Sequence, residues 1–151
     1  MLQELKFKLL EYCHNIVDQK INDASDNIRN LQSSANEESK SSMGDKYETG
    51  RAMMHLEQKK YALQLEEGLK LRKTLSLIEA AKSEKAIGMG NLVKTNHALF
   101  YISISIGTVK VAAQEVICIS PATPIAGKMK GKSVGEAFEM NGRKYNIIDV
   151  I

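Results

Sequence analysis

Asp45 and Glu48 are the residues of this chain best placed to do chemistry. They stand three apart in Gly44-Asp45-Lys46-Tyr47-Glu48, next to the small, polar run Asn36-Glu37-Glu38-Ser39-Lys40-Ser41-Ser42-Met43. Such a run breaks a helical pattern and turns the chain. Two carboxylates presented together at a turn can share a hard, oxygen-seeking cation. The same two can serve a helix start, Asp45 as N-cap and Glu48 at the third helical position, where both favour the exposed backbone amides. The two uses are compatible. What sets the pair apart is its place at a tip, away from any apolar stripe.

The elements that position this tip are two long amphipathic patterns. In the first, Leu2, Leu5, Leu9, Tyr12 and Ile16 recur at steps of three and four, and the stripe resumes one position displaced as Val17, Ile21, Ala24, Ile28, Leu31 and Ala35. That displacement is a stutter in a heptad pattern and locally alters the supercoil. The second pattern runs from about Lys46 to Ser83 and carries Met53, Met54, Leu56, Tyr61, Leu65, Leu69, Leu71, Leu75 and Ile78. The Met53-Met54-Leu56 group reads as helix seam, and Gly50 and Gly68 as tolerated interior glycines, each costing about 1 kcal/mol against alanine. Two single-sided helices of similar length, joined by a short turn, are predicted to form an antiparallel coiled-coil hairpin. About 35 residues per helix make an arm about 50 Å long.

Past Lys85-Ala86-Ile87-Gly88-Met89-Gly90-Asn91 the period changes to two. Phe100, Ile102, Ile104 and Ile106 alternate with Tyr101, Ser103 and Ser105, the pattern of a strand. Gly107-Thr108 reads as a turn, and Val109–Val111 and Glu115–Ile119 as further strands. Thr123-Pro124 opens a short helix, with Thr as N-cap and Pro at the first helical position, and Gly131 closes it. Asn141-Gly142 joins Ala137–Met140 to Lys144–Val150 through a tight primed turn. The fold class is therefore α+β: a helical hairpin over 1–84 with its acidic tip near 36–48, then a small domain of four or five strands over 85–151.

Bulk properties narrow the function. The chain has 151 residues, 43% hydrophobic and 26% charged, a formal net charge of +3 and no Trp. Its sequence pI of about 8.8 is too mildly basic to argue by itself for nucleic-acid binding. Met1-Leu2-Gln3-Glu4 opens directly into an amphipathic pattern, unlike a secretion signal, and no apolar run approaches the roughly 20 residues of a membrane span. Cys13 and Cys118 fall in different predicted domains at no metal or disulfide spacing. The expectation is a cytoplasmic monomer with reduced thiols. His14, His55 and His97 have no partners at ligand spacing.

Two separated segments resemble the Gre transcript-cleavage factors, elongation factors of bacterial RNA polymerase. Gly44-Asp45-x-x-Glu48 is similar to that family's tip motif. The run Ile119-Ser120-Pro121, Thr123-Pro124-Ile125-Ala126-Gly127-Lys128 and Gly131-Lys132-Ser133-Val134-Gly135 resembles its C-terminal signature, and Gly142-Arg143-Lys144-Tyr145-Asn146-Ile147-Ile148 resembles its final strand. The resemblance implies that the C-terminal domain is FKBP-like. It implies that this domain docks on core RNA polymerase, with Ser120, Pro121, Thr123, Pro124 and Ile125 as contact residues, so that residues 86–151 alone compete for the polymerase. The hairpin would then enter the secondary channel. There Asp45 and Glu48 would complete a shared Mg²⁺ site and stimulate cleavage of the backtracked RNA 3′ end. The chain would be an accessory factor and not itself an enzyme. Lys40, Lys46 and Arg51 are candidates for contact with the RNA.

Around the tip the chain departs from the family. The usual Leu-Ser after the aspartate is Lys46-Tyr47 here, and the usual Asn-Ala-Glu-Tyr is Thr49-Gly50-Arg51-Ala52. The alternative is therefore a Gre-like channel-binding modulator or inhibitor of transcription that does not support cleavage. A free-standing prolyl isomerase, the third reading, has too few aromatic residues for a proline pocket.

Overall fold

The computed structural model describes residues 1–38, 44–81 and 84–151, and the side chains of all of these except 35–38 and 44–48. Two long helices lead, α1 (Leu2–Glu38) and α2 (Gly44–Ala80), followed by β1 (Leu92–Thr95), β2 (Leu99–Ile102), β3 (Gly107–Val111), β4 (Gln114–Ile119), α3 (Pro124–Met129), β5 (Ala137–Met140) and β6 (Arg143–Val150). The α+β reading stands. Among the described residues no helix is long and apolar enough to cross a membrane. Both helices run further toward the tip than the polar composition suggested, and Gly44-Asp45, read as turn, belongs to the start of α2.

By its internal packing the chain divides into two compact units. One combines Met1–His14 with Lys73–Ile151; the other is Asn15–Arg72.

In the first unit the six strands form one mixed sheet, in the order β3-β4-β2-β1-β6-β5. β2 and β4 run parallel, Tyr101 opposite Cys118; every other neighbouring pair is antiparallel. One face carries Val93, Phe100, Ile102, Ile119, Phe138 and Ile147 and packs against Ala126 and Met129 of α3 and against Ile87. Burying a side chain such as Met129 contributes about 1.5–3 kcal/mol. Leu92, Tyr101, Ser103, Val116 and Cys118 are also buried, on the opposite face by strand alternation. The same unit buries Leu5, Leu9, Cys13, Leu75 and Ile78 from the two helices. Cys13 Sγ lies 3.9 Å from Ser103 Oγ. His14 Nε2 is 3.0 Å from Glu79 Oε1, short enough for ionic contact although the pair is not aligned as a hydrogen bond.

Several local readings change. Residues 85–91, read as the boundary where the period changes, are packed into the first unit: Ile87 is in the core, its N–H donates to Lys132 O and its carbonyl accepts from Gly131 N. β1 has no period-two signature because three of its four residues are buried. The strand expected over Phe100–Ile106 stops at Ile102, and Gly107-Thr108, read as a turn, begins β3. Thr123 caps α3 through a hydrogen bond from Ala126 N, with Pro124 first in the helix. Asn141 and Gly142 take φ of 52° and 75°, the predicted primed turn.

The other tight hairpin is less comfortable. Ala112 and Ala113 join β3 to β4 with φ of 51° and 62°, a region that costs an L-residue with a Cβ roughly 1–2 kcal/mol. The double substitution Ala112→Asn with Ala113→Gly supplies the residue types that suit such a turn. It is expected to stabilise the chain by about 1–2 kcal/mol. Urea unfolding checks this through a raised midpoint at unchanged slope.

In the second unit α1 buries Val17, Ile21 and Ala24. Facing them, α2 turns Met54, Gln58, Tyr61, Leu65 and Gly68 inward at alternating steps of four and three. This corrects the sequence reading of the seam: Met54 is half-buried, but Met53 and Leu56 are 62% and 70% exposed. Hydrophobic residues crowd both sides of α2, so its apolar stripe is ambiguous, and packing against α1 selects one of them. Arg72 donates to Asp18 Oδ1 at 3.0 Å.

Gly68 is not merely tolerated. A Cβ there would lie 2.8 Å from Ile21 Cγ1, an atom that cannot swing aside as a side-chain end could. Gly68→Ala is therefore expected to cost about 1–3 kcal/mol through overpacking, despite the better helix propensity of alanine. In an Ile21→Ala background the same substitution should become neutral or stabilising. Thermal melts of the four proteins of the cycle test this reversal of sign.

Candidate functional site

The residues that sequence reasoning assigned to docking come together at one corner of the first unit. β4 ends at Ile119, whose carbonyl accepts from Ser103 N. Ser120 N then donates to Ser105 Oγ, and Ala122 N to Ser120 Oγ. Thr123 Oγ1 donates to Ser120 O at 2.8 Å while accepting from Ala126 N. The chain therefore turns from β4 into α3 through side-chain bonds that fix its backbone. Pro121, Ala122 and Pro124 are exposed, Ser120, Thr123 and Ile125 half-buried. Lys128 and Lys130, also exposed, follow on α3 and its cap. The corner can offer a preformed apolar ridge with basic residues close by. Its two hydroxyls, Ser120 Oγ and Thr123 Oγ1, are both engaged with the corner's own backbone.

The tip residues stand differently. Lys40 lies outside the described residues. Asp45, Lys46 and Glu48 belong to α2, with side chains outside the described set. Arg51 is exposed on α2 in the second unit. Among the described residues, no three or more His, Cys, Asp or Glu side chains gather as a metal ion would require. Two carboxylates are hard oxygen donors suited to Mg²⁺ but too few to enclose it.

Two features of the first unit escaped sequence reasoning. One is a cleft of about 270 Å³ lined by Lys6, Phe7, Leu10, Ile78, Met89 and Tyr101, among others. Burial lowers the Lys6 ammonium below its ordinary pKa and pushes the Tyr101 phenol up. The Tyr101 hydroxyl is buried without a hydrogen-bond partner.

The second is a thiol pair. Cys13 and Cys118 lie near enough for each thiol to shift the other's titration. Cys118 and Ser103 hold the Cys13 thiol below the usual range against the burial that would raise it, while Cys13 and burial push Cys118 up. Cys13 was legible only as one member of the buried series Leu5, Leu9, Cys13, Val17, Ile21 at four-residue steps, and Cys118 as the alternate of Val116. Nothing in their sequence spacing pairs them.

Fold and corner together describe an α+β chain with two long helices, a mixed sheet and an exposed, hydrogen-bonded corner between β4 and α3. No family model matches the chain, and neither a curated protein nor a solved structure matches it.

Proposed function

We propose that the chain is a Gre-type factor that binds core RNA polymerase through its FKBP-like sheet-bearing region and stimulates cleavage of backtracked RNA with the tip between its helices. One observation carries this reading. The segment resembling the Gre C-terminal signature, Ile119 to Gly135, folds as one ordered corner and helix whose prolines face solvent. The second matching motif opens α2, directly after the other 37-residue helix and the short segment that joins them.

In this reading the two regions divide the work. Pro121, Pro124 and Ile125 supply apolar contact to the polymerase at little ordering cost, because the corner is already fixed. Asp45 and Glu48 supply negative oxygens at the polymerase's catalytic centre and help orient the attacking water. Mg²⁺ bound there would polarise the scissile phosphate and lower the pKa of that water. The polymerase provides the remaining ligands, so the chain by itself catalyses nothing. Lys40, Lys46 and Arg51 would steady the RNA phosphates.

One observation favours the second reading, a modulator that enters the channel without supporting cleavage. Lys46-Tyr47 and Thr49-Gly50-Arg51-Ala52 replace the family's usual residues on both sides of Glu48. Pull-down with purified core polymerase, followed by RNA cleavage on stalled complexes, decides the matter. Binding with cleavage supports the first reading, and binding with altered elongation but no cleavage supports the second. Absence of binding removes both.

A further inference from the structure

We propose that Cys13 and Cys118 are an oxidation site: peroxide converts them to an internal disulfide that fastens α1 to β4. Both thiols are buried, 0% and 1% exposed, in the same compact unit. Cys118 sits directly opposite Tyr101 in the parallel β2–β4 pair. Two residues beyond Tyr101, on the same face, stands Ser103, whose Oγ is 3.9 Å from Cys13 Sγ. The sheet register thus brings α1's cysteine onto the patch of sheet that holds Cys118.

The surroundings give the two sulfurs different roles. Ser103 Oγ, 3.9 Å from the Cys13 sulfur, can donate to it as thiolate, which favours its ionised form and makes Cys13 the nucleophile. Cys118 is the resolving thiol. The Cys13 thiolate attacks one oxygen of hydrogen peroxide, the O–O bond breaks, and the leaving hydroxide takes a proton to become water, leaving Cys13 as sulfenic acid. The Cys118 sulfur then attacks the Cys13 sulfur. The S–O bond breaks, hydroxide leaves and takes the Cys118 proton as water, and the disulfide forms. One peroxide is reduced to two waters and two thiols are oxidised to one disulfide. A two-oxygen oxidant suits so enclosed a pair. The 270 Å³ cleft is lined by Leu10, Ile78 and Tyr101, the last of them the sheet neighbour of Cys118, and Leu10 lies one helical turn from Cys13.

The test uses the full chain. The folded protein is treated with hydrogen peroxide, blocked, digested without reductant and mapped by mass spectrometry. The expected product is an intramolecular Cys13–Cys118 cross-linked peptide. The oxidised protein should melt roughly 5–10 °C higher, since the bond closes a long loop, and dithiothreitol should reverse the shift. In Cys118→Ala, dimedone should trap a sulfenic acid on Cys13; in Cys13→Ala, Cys118 should give no adduct. The wild-type map stands even if a variant fails to fold. The proposal is overturned if the folded chain forms only interchain disulfides, or if its thiols react only after unfolding in guanidinium. Equal dimedone labelling of the two single variants would overturn the assigned roles.

Discussion

Asp45→Asn combined with Glu48→Gln is expected, if the proposed Gre-type function holds, to leave polymerase binding intact and to lower RNA cleavage by orders of magnitude. The pair of substitutions removes two negative charges with almost no change in shape. Neutral amides are poor Mg²⁺ ligands, so the shared site loses both of its contributions from this chain. Helix stability should change little: Asp45 lies within the first turn of α2 and not at its cap, so each substitution forfeits only a charge–dipole attraction of about 0.3–1 kcal/mol. The measurement is cleavage of stalled complexes by wild type and double mutant at saturating protein, with binding followed separately. Equal cleavage by the two proteins would reduce the acidic pair to charges at a helix start.

The second large effect concerns where the chain can be cut. Residues 86–151 hold every strand, and the sequence suggested that they would dock unaided. Yet Leu92, Tyr101, Val116 and Cys118 are buried on the face opposite α3, in a unit that includes Met1–His14 and Lys73–Ala80. A fragment starting at residue 86 would bare that face. Exposing four such side chains forfeits about 1.5–3 kcal/mol each, comparable to the whole stability of an ordinary domain. The fragment is expected to lose cooperative unfolding and to aggregate. A chain joining Met1–His14 to Lys73–Ile151 through a flexible linker should unfold cooperatively and, if the docking proposal holds, compete with the full chain for polymerase. Calorimetry of the fragment and the linked chain tests the fold. Competition by the linked chain tests docking independently.

These expectations show which parts of the architecture sequence could reveal. α1 was legible because it keeps an apolar stripe at helical spacing over many turns, and α2 because a long run rich in Leu, Met, Glu and Lys, without Pro, favours helix even though its hydrophobic residues lie on more than one side. Their seam was less so: Gln58 and Gly68 face inward while Leu56 and Leu63 face out, since close approach to Ile21 outweighs hydrophobicity at Gly68. α3 and the β5–β6 hairpin were legible because Thr123-Pro124 and Asn141-Gly142 are strong local signals. β1 was invisible because a strand buried on both faces does not alternate. The corner at Ser120–Ile125 is tied by one hydrogen bond to distant Ser105, which local pattern does not show. Cys13 meeting Ser103 and Cys118 depends wholly on tertiary register, which local pattern does not carry.

The division of the first unit between two stretches of chain also has a consequence for synthesis. Asn15–Arg72 makes its contacts among neighbours in the hairpin and can pair soon after leaving the ribosome. The sheet cannot. β6 lies between β1 and β5 in the sheet, so β1 keeps one edge unpaired until Arg143–Val150 has been translated. At about 5–20 residues per second, the segments from Met1–His14 through β4 wait several seconds with apolar faces uncovered. The nascent chain is most exposed to chaperones and to aggregation in that interval, and a ribosomal pause between β4 and β6 would lengthen it.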